Sequence, residues 1–289
     1  MTTLLLVLAL SLLIGVSLGL LGGGGSILTV PILVYVAGLP AKEAIAASLF
    51  VVGVTSLAGV VSHARGGRVQ WRTGVLFGLA AMVGAFTGGL LGGHIPGDWL
   101  LIAFALMMVA TSLAMLRGRK DRGTGGHPHR EDGLPLARIL IDGSVVGLVT
   151  GLVGAGGGFL VVPALVLLGG LPMSVAVGTS LVVIAMKSFA GLAGYLTSVS
   201  LDWPLVLGVT GAAVVGSVVG GRLAGRVPEA ALRQGFGWFV LVMGGFVLVQ
   251  QGPSWALPVV GGAVLALGLA AGACLSFVRA GPLRRIITA

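Results

Sequence analysis

Residues 14–40 read IGVSLGLLGGGGSILTVPILVYVAGLP, and residues 146–172 read VGLVTGLVGAGGGFLVVPALVLLGGLP. The two stretches share Gly15/Gly147, Gly19/Gly151, Gly22/Gly154, Gly24-Gly25/Gly156-Gly157, Pro31/Pro163 and Gly38-Leu39-Pro40/Gly170-Leu171-Pro172 at one offset of 132 (147 − 15). The offset continues without a gap through Ser48/Ser180, Ser56/Ser188, Gly59/Gly191, Trp71/Trp203, Gly84/Gly216, Gly88-Gly89/Gly220-Gly221 and Pro96/Pro228. Leu and Gly coincide by chance in any two apolar segments. Pro, Trp and Ser do not hold one register over such a length by chance, so the chain is two copies of one unit.

The solvent of this unit follows from its composition. Hydrophobic residues make up 56% of the chain, charged residues only 9%, and the mean hydropathy is +1.11. A chain so short of charge cannot cover itself with a hydrated surface, so part of its surroundings is lipid. The 52 glycines among 289 residues sit inside apolar runs without a collagen-like period, as expected for closely packed membrane helices. The net charge of +9 does not point to nucleic acid. Arg and Lys fall in short segments between apolar runs, with no basic face and no interleaved aromatics, as loop charges that fix orientation do. The single cysteine, Cys274, permits no intrachain disulfide. The first 21 residues lack the positive start and small-residue cleavage site of a signal peptide, and their pattern recurs in mid-chain.

Runs long enough to cross the hydrocarbon are 4–21, 41–64, 74–91, 99–116, 138–153, 173–196, 205–221, 231–249 and 255–278. Two shorter runs, 27–37 and 159–169, follow the glycine clusters. Eleven helical residues rise roughly 16 Å, about half of the ~30 Å core, so these read as half-helices or re-entrant segments. Arg65, Arg68 and Arg72 mark one loop as cytoplasmic, whereas its equivalent holds Thr197, Ser200, Asp202 and Pro204. Arg222 and Arg226 stand where the first copy has Leu90 and His94. Equivalent loops of opposite sign predict repeats of inverted topology.

The expected fold is an all-α polytopic membrane protein with two inverted-topology repeats, Gly-broken half-helices and one extra C-terminal helix. Residues 1–116 form the first repeat, 117–138 a cytoplasmic linker, 139–250 the second repeat and 254–279 the additional helix. The N-terminus is expected outside and the C-terminus, near Arg279, Arg284 and Arg285, in the cytoplasm.

The glycine clusters are the first functional candidates. Each Gly costs about 0.8–1.0 kcal/mol relative to Ala in a helix interior, so 22–26 and 154–158 break the helix. Unwound backbone at membrane depth is tolerated only where protein or a water-filled cavity surrounds it. A half-helix starting after each break aims free N–H groups and a partial positive charge at it, with Pro31 and Pro163 expected near the half-helix start. Two such breaks meeting near the midplane make an anion site from backbone, with Gly23, Gly24, Gly25, Ser26, Gly156, Gly157 and Gly158 lining it. No Gly-Lys-Ser/Thr follows, so this is not a nucleotide loop.

The next helix of each copy carries a polar stripe. Ser48, Thr55, Gly59 and Ser62 fall on one face, with Ser56 beside it; Ser180, Lys187, Gly191 and Gly194 repeat that face, with Ser188 beside it. The hydroxyls either line the site or bond back to their own helix. Lys187 is mid-helix, where a lysine costs roughly 2.5–3.5 kcal/mol on insertion scales. It must face a wet cavity, lose its proton or meet an anion. The helix centres offer it no carboxylate. His63 and Tyr195, again 132 apart, are candidate gate residues, and His127 with His129 lies in the charged linker. Gly84-x-x-x-Gly88-x-x-x-Gly92 and Gly216-x-x-x-Gly220 read as helix-packing faces.

The doubled Gly-rich break followed by Pro, with Ser48-Leu49-Phe50-Val51-Val52 and Val177-Gly178-Thr179-Ser180-Leu181-Val182-Val183 after it, resembles the TauE/SafE family of sulfite and organosulfonate exporters. The resemblance runs from residue 10 to residue 249. It implies a prokaryotic inner-membrane permease that moves sulfite, sulfoacetate or related small anions, with Thr179 and Ser180 in the second of the two matching segments. The expected partners are a small anionic substrate, a coupling proton and the lipid bilayer, with no nucleic acid, metal or cofactor. A passive anion channel is the alternative. It would show a continuous charged ring, and none is visible. An intramembrane enzyme is the remote alternative, and it lacks convergent acid, base or metal ligands.

Overall fold

A computed structural model describes residues 2–21, 24–116, 136–154, 156–167, 171, 173–223 and 229–251. Every regular element among them is helical. The first copy supplies α1 (Thr2–Leu21), a 3-10 segment (Gly24–Leu28), α2 (Thr29–Tyr35), α3 (Ala41–Arg65), α4 (Trp71–His94) and α5 (Gly97–Leu116). The second supplies α6 (Leu136–Val153), α7 (Gly158–Leu167), α8 (Met173–Tyr195), α9 (Trp203–Leu223) and α10 (Glu229–Gln251). Most of the expected linker, the proposed helix 254–279, Gly23 and the 127–129 histidines lie outside the described residues.

Four helices are long and apolar enough to cross a membrane: Ala41–Arg65, Trp71–His94, Val175–Tyr195 and Trp203–Gly220. Shorter apolar helices accompany them, among them Leu6–Gly19, Gly97–Leu113 and Ile139–Val153. The distribution of polarity is the reverse of a water-soluble domain. Val83 (67% exposed), Ile141 (63%) and Leu13 (59%) face outward, while Ser11, Ser48, Thr55, Thr150 and Lys187 are buried. Lipid tolerates the first group, and only protein partners satisfy the second. Trp71 and Trp203 are exposed at the first turns of α4 and α9, and Trp99 at that of α5. Such ends suit the amphipathic indole at a membrane interface.

The packing follows the 132-residue offset. α1 packs on α9 as α6 packs on α4, and α3 packs on α8, its own equivalent. Glycine makes the first two contacts possible. A Cβ at Gly15 would collide with the Ala213 carbonyl, and one at Gly147 with the Ala81 carbonyl. Gly84 and Gly88 meet the carbonyls of Ser144 and Leu148, as Gly216 and Gly220 meet those of Leu12 and Val16. Bare backbones thereby approach closely, and dispersion contacts replace the hydrophobic drive that lipid removes. Equivalent helices α3 and α8 run antiparallel, for Gly53 abuts Phe189, Gly59 abuts Leu181 and Gly178 abuts His63.

Two local expectations need correction. Pro31 is the third residue of α2, but Pro163 is the sixth of α7, beyond the first turn. The 159–169 run starts its helix earlier than proline placement suggests, because the Gly157 carbonyl already accepts from the N–H groups of Leu160 and Val161. The helices also hold a carboxylate. Asp142 is the seventh residue of α6, and its Oδ2 is buried.

Candidate functional site

The two glycine breaks meet. Ser26, fully buried in the 3-10 segment, lies against Gly156, where a Cβ would stand 2.7 Å from Ser26 Cβ and 2.6 Å from Val52 Cγ1. Gly154, Gly156 and Gly157 have φ of +71°, +59° and +66°. That left-handed backbone is costly for residues with a Cβ, so the second break needs glycine for conformation as well as for room. The chain turns there through open backbone, and α7 opens at Gly158, with the N–H groups of Leu160 and Val161 already turned back onto the Gly157 carbonyl.

Lys187 reaches this turn from α8. Its side chain is 1% exposed, and Nζ donates to Thr150 Oγ1 at 2.5 Å. Thr150 Oγ1 in turn donates to the Val146 carbonyl at 2.7 Å. A Cβ on Gly157 would come within 2.5 Å of the same Nζ. The Lys187 amino group and the N-terminal end of a ten-residue helix therefore share one buried corner. In its protonated form the lysine adds a full positive charge to the partial one of the helix end, and together they attract an anion.

The remaining candidates divide. Ser48, on α3, donates across the interface to the Gly154 carbonyl at 3.0 Å, tying the first copy to the second break. Gly24 and Gly25 lie in the 3-10 segment with Ser26, and Gly158 opens α7. Thr55 spends its hydroxyl on the Val51 and Val52 carbonyls of its own helix, and Ser180 bonds back to Val177. Thr179 is elsewhere: its Oγ1 accepts from the Gln70 N–H in the α3–α4 connection, eight residues before Lys187. Ser56 and Ser188, equivalent positions, are fully buried and their hydroxyls have no hydrogen-bond partner among the described residues. Tyr195 is buried and donates from its hydroxyl to the Leu152 carbonyl, with Gly92 against it, while His63 is only partly buried.

Thr150 was not legible as a site residue. Its signal was a departure from repeat symmetry: Leu18 occupies the equivalent position, just as Thr55 is equivalent to Lys187. Both departures add polarity to the second copy, and the fold brings them together. Thr29, also buried beside the first break with no hydroxyl partner among the described residues, is a further departure from the symmetry, its equivalent being Val161.

The sulfite exporter TauE/SafE family model matches residues 7–247, covering both breaks and every helix that builds this corner. The chain belongs to the TauE/SafE family. A probable membrane transporter protein of Xylella fastidiosa is 36% identical over 251 residues, spanning 84% of this chain and 93% of the relative. The probable membrane transporter protein YdhB of Bacillus subtilis is 28% identical over 229 residues, 79% of this chain and 94% of YdhB. A probable membrane transporter protein of Methanocaldococcus jannaschii is 31% identical over 204 residues, 67% of this chain and 74% of the relative. No solved structure matches significantly. This TauE/SafE chain is thus a multi-pass membrane transporter and not an enzyme.

Proposed function

We propose that this protein is a secondary transporter of small anions, with sulfite or an organosulfonate as substrate, working by alternating access around a midplane site. The observation that carries the reading is the buried corner where Lys187 Nζ, the Thr150 hydroxyl and the start of α7 converge on the junction of two glycine breaks. A lysine buried in a membrane helix without a carboxylate beside it requires compensation, and a bound anion supplies it. The α7 N-terminus contributes about half a charge and directed N–H groups. Sulfur oxyanions suit this donor set because several oxygens can accept from several donors at once.

Inverted repeats belong to the same reading, and the antiparallel pairing of α3 with α8 supports them. With the loop charges, they support an N-terminus outside and a C-terminus in the cytoplasm of an inner membrane, and proton coupling is the rival driving mode that an internal pH-sensitive dye reads in the same vesicles. The deciding experiment is uptake of radiolabelled sulfite into proteoliposomes, competed by organosulfonates and carboxylates. Saturable flux, competed by sulfonates better than by carboxylates, is expected. Flux linear in concentration and indifferent to competitors would overturn the carrier in favour of a pore.

A further inference from the structure

We infer that the charge of Lys187 makes this transporter an obligatory exchanger, in which an anion must occupy the site on each crossing in either direction. The inference rests on the anion-carrier reading above and adds its mode of coupling. Its starting point is the closed geometry around Lys187. Ser26 and Val52 press on Gly156 from one side, and Thr150, Gly157 and Lys187 fill the other, leaving the lysine 1% exposed. An alternating-access cycle must pass through some such closed arrangement whenever the site changes sides.

In that arrangement the ammonium has a neutral partner, the Thr150 hydroxyl. The titratable groups of the elements around it stand away from it. On α3, Lys42 and Glu43 lie in the first turn and His63 and Arg65 in the last; on α4, Arg72 lies in the first turn and His94 in the last. Asp142 of α6 is eight residues before Thr150, roughly 12 Å of helix rise. α7 carries no charged residue, and on α8 itself Tyr195 is engaged with Leu152. Closing around the lysine with an anion present leaves a nearly neutral centre. Closing around the ammonium alone leaves an uncompensated buried charge, which slows that step. The first copy introduces no such barrier, since Thr55 stands at the equivalent position with its hydroxyl satisfied by its own helix. The charge asymmetry between the copies therefore selects exchange over net flux.

The test uses full-length protein in proteoliposomes, with radiolabelled sulfite outside and either unlabelled sulfite or no permeant anion inside. An internal pH-sensitive dye records proton movement. Wild type should take up label at least about tenfold faster into preloaded vesicles, as a buried uncompensated lysine implies. A ratio near one in wild type overturns the proposal. Net uptake into empty vesicles with one proton per anion overturns it too, because the lysine then returns without its charge. Lys187→Arg retains the charge and should retain the ratio. Lys187→Thr should bring the ratio towards one; a Thr variant that exchanges with an undiminished ratio removes the lysine from the mechanism. If Lys187→Thr no longer transports, the wild-type and Lys187→Arg ratios decide, and a ratio near one in either overturns the proposal. Absence of sulfite exchange in wild type strikes instead at the choice of substrate in the underlying reading.

Discussion

At the scale of single residues, the chemistry of the site concentrates on Lys187 and the glycine breaks beside it. Lys187→Met removes the one full charge placed at the junction, and a charge-assisted hydrogen bond contributes about 1.5–3 kcal/mol, so anion affinity should fall roughly tenfold to a hundredfold. The variant should still fold, since Met replaces a buried ammonium with an apolar side chain of similar length. Titration of sulfite binding by calorimetry, with size-exclusion of the same sample, checks both points: weaker binding than wild type from a protein that remains folded. Unchanged affinity would return the burden to the glycine breaks. Gly156→Leu combines a positive φ with a collision against Ser26 and Val52, and should abolish binding while size-exclusion still shows a monodisperse protein. Gly24→Leu is expected to act likewise from the first break, because the 3-10 segment brings Ser26 to the same junction. Lys187 stood out in the sequence because a lone charge in an apolar run has few physical excuses. Thr150 did not, because threonine in a membrane helix ordinarily bonds its own backbone, as it also does here.

At the scale of elements, helix identity was legible and helix partnership only in part. Apolar run length marked α3, α4, α8 and α9, and the short runs after the glycine clusters became α2 and α7. The Gly84/Gly88 and Gly216/Gly220 ladders announced a packing face without naming what packs there. The fold pairs α4 with α6 and α1 with α9, each helix crossing onto the other repeat. Gly84→Leu should therefore destabilise the α4–α6 contact, since its Cβ would enter the Ser144 carbonyl; overpacking costs typically about 1–3 kcal/mol. Gly216→Leu should lower stability by a similar amount at the α1–α9 contact, where the Leu12 carbonyl stands in the same place. Thermal unfolding in one detergent compares them. A large loss in one with none in the other would break the packing equivalence of the copies.

At the scale of the whole molecule, two copies exchange helices around the α3–α8 pair, and the glycine breaks lie beside it. The topology proposed from loop charges makes a direct prediction. With Cys274 replaced, single cysteines at Gly123 and Ser200 should react with an impermeant thiol reagent from opposite sides of the membrane. Reaction of both from one side would sink the inverted arrangement. The sequence alone determined the solvent, the duplication, the positions of the breaks and the presence of an unpaired charge. Each of these is a property of local composition or of register along one chain. Tertiary structure decided that Ser26 of one copy touches Gly156 of the other, that Ser48 bonds the Gly154 carbonyl, and that Thr150 receives Lys187. It also decided which hydroxyls remain unspent among the described residues, Thr29, Ser56 and Ser188, and which bond their own helix, Thr55 and Ser180. The reason is that periodicity assigns a residue to a helix face, while the atom opposite that face depends on how two helices cross, and side chains far apart in the chain set that crossing together.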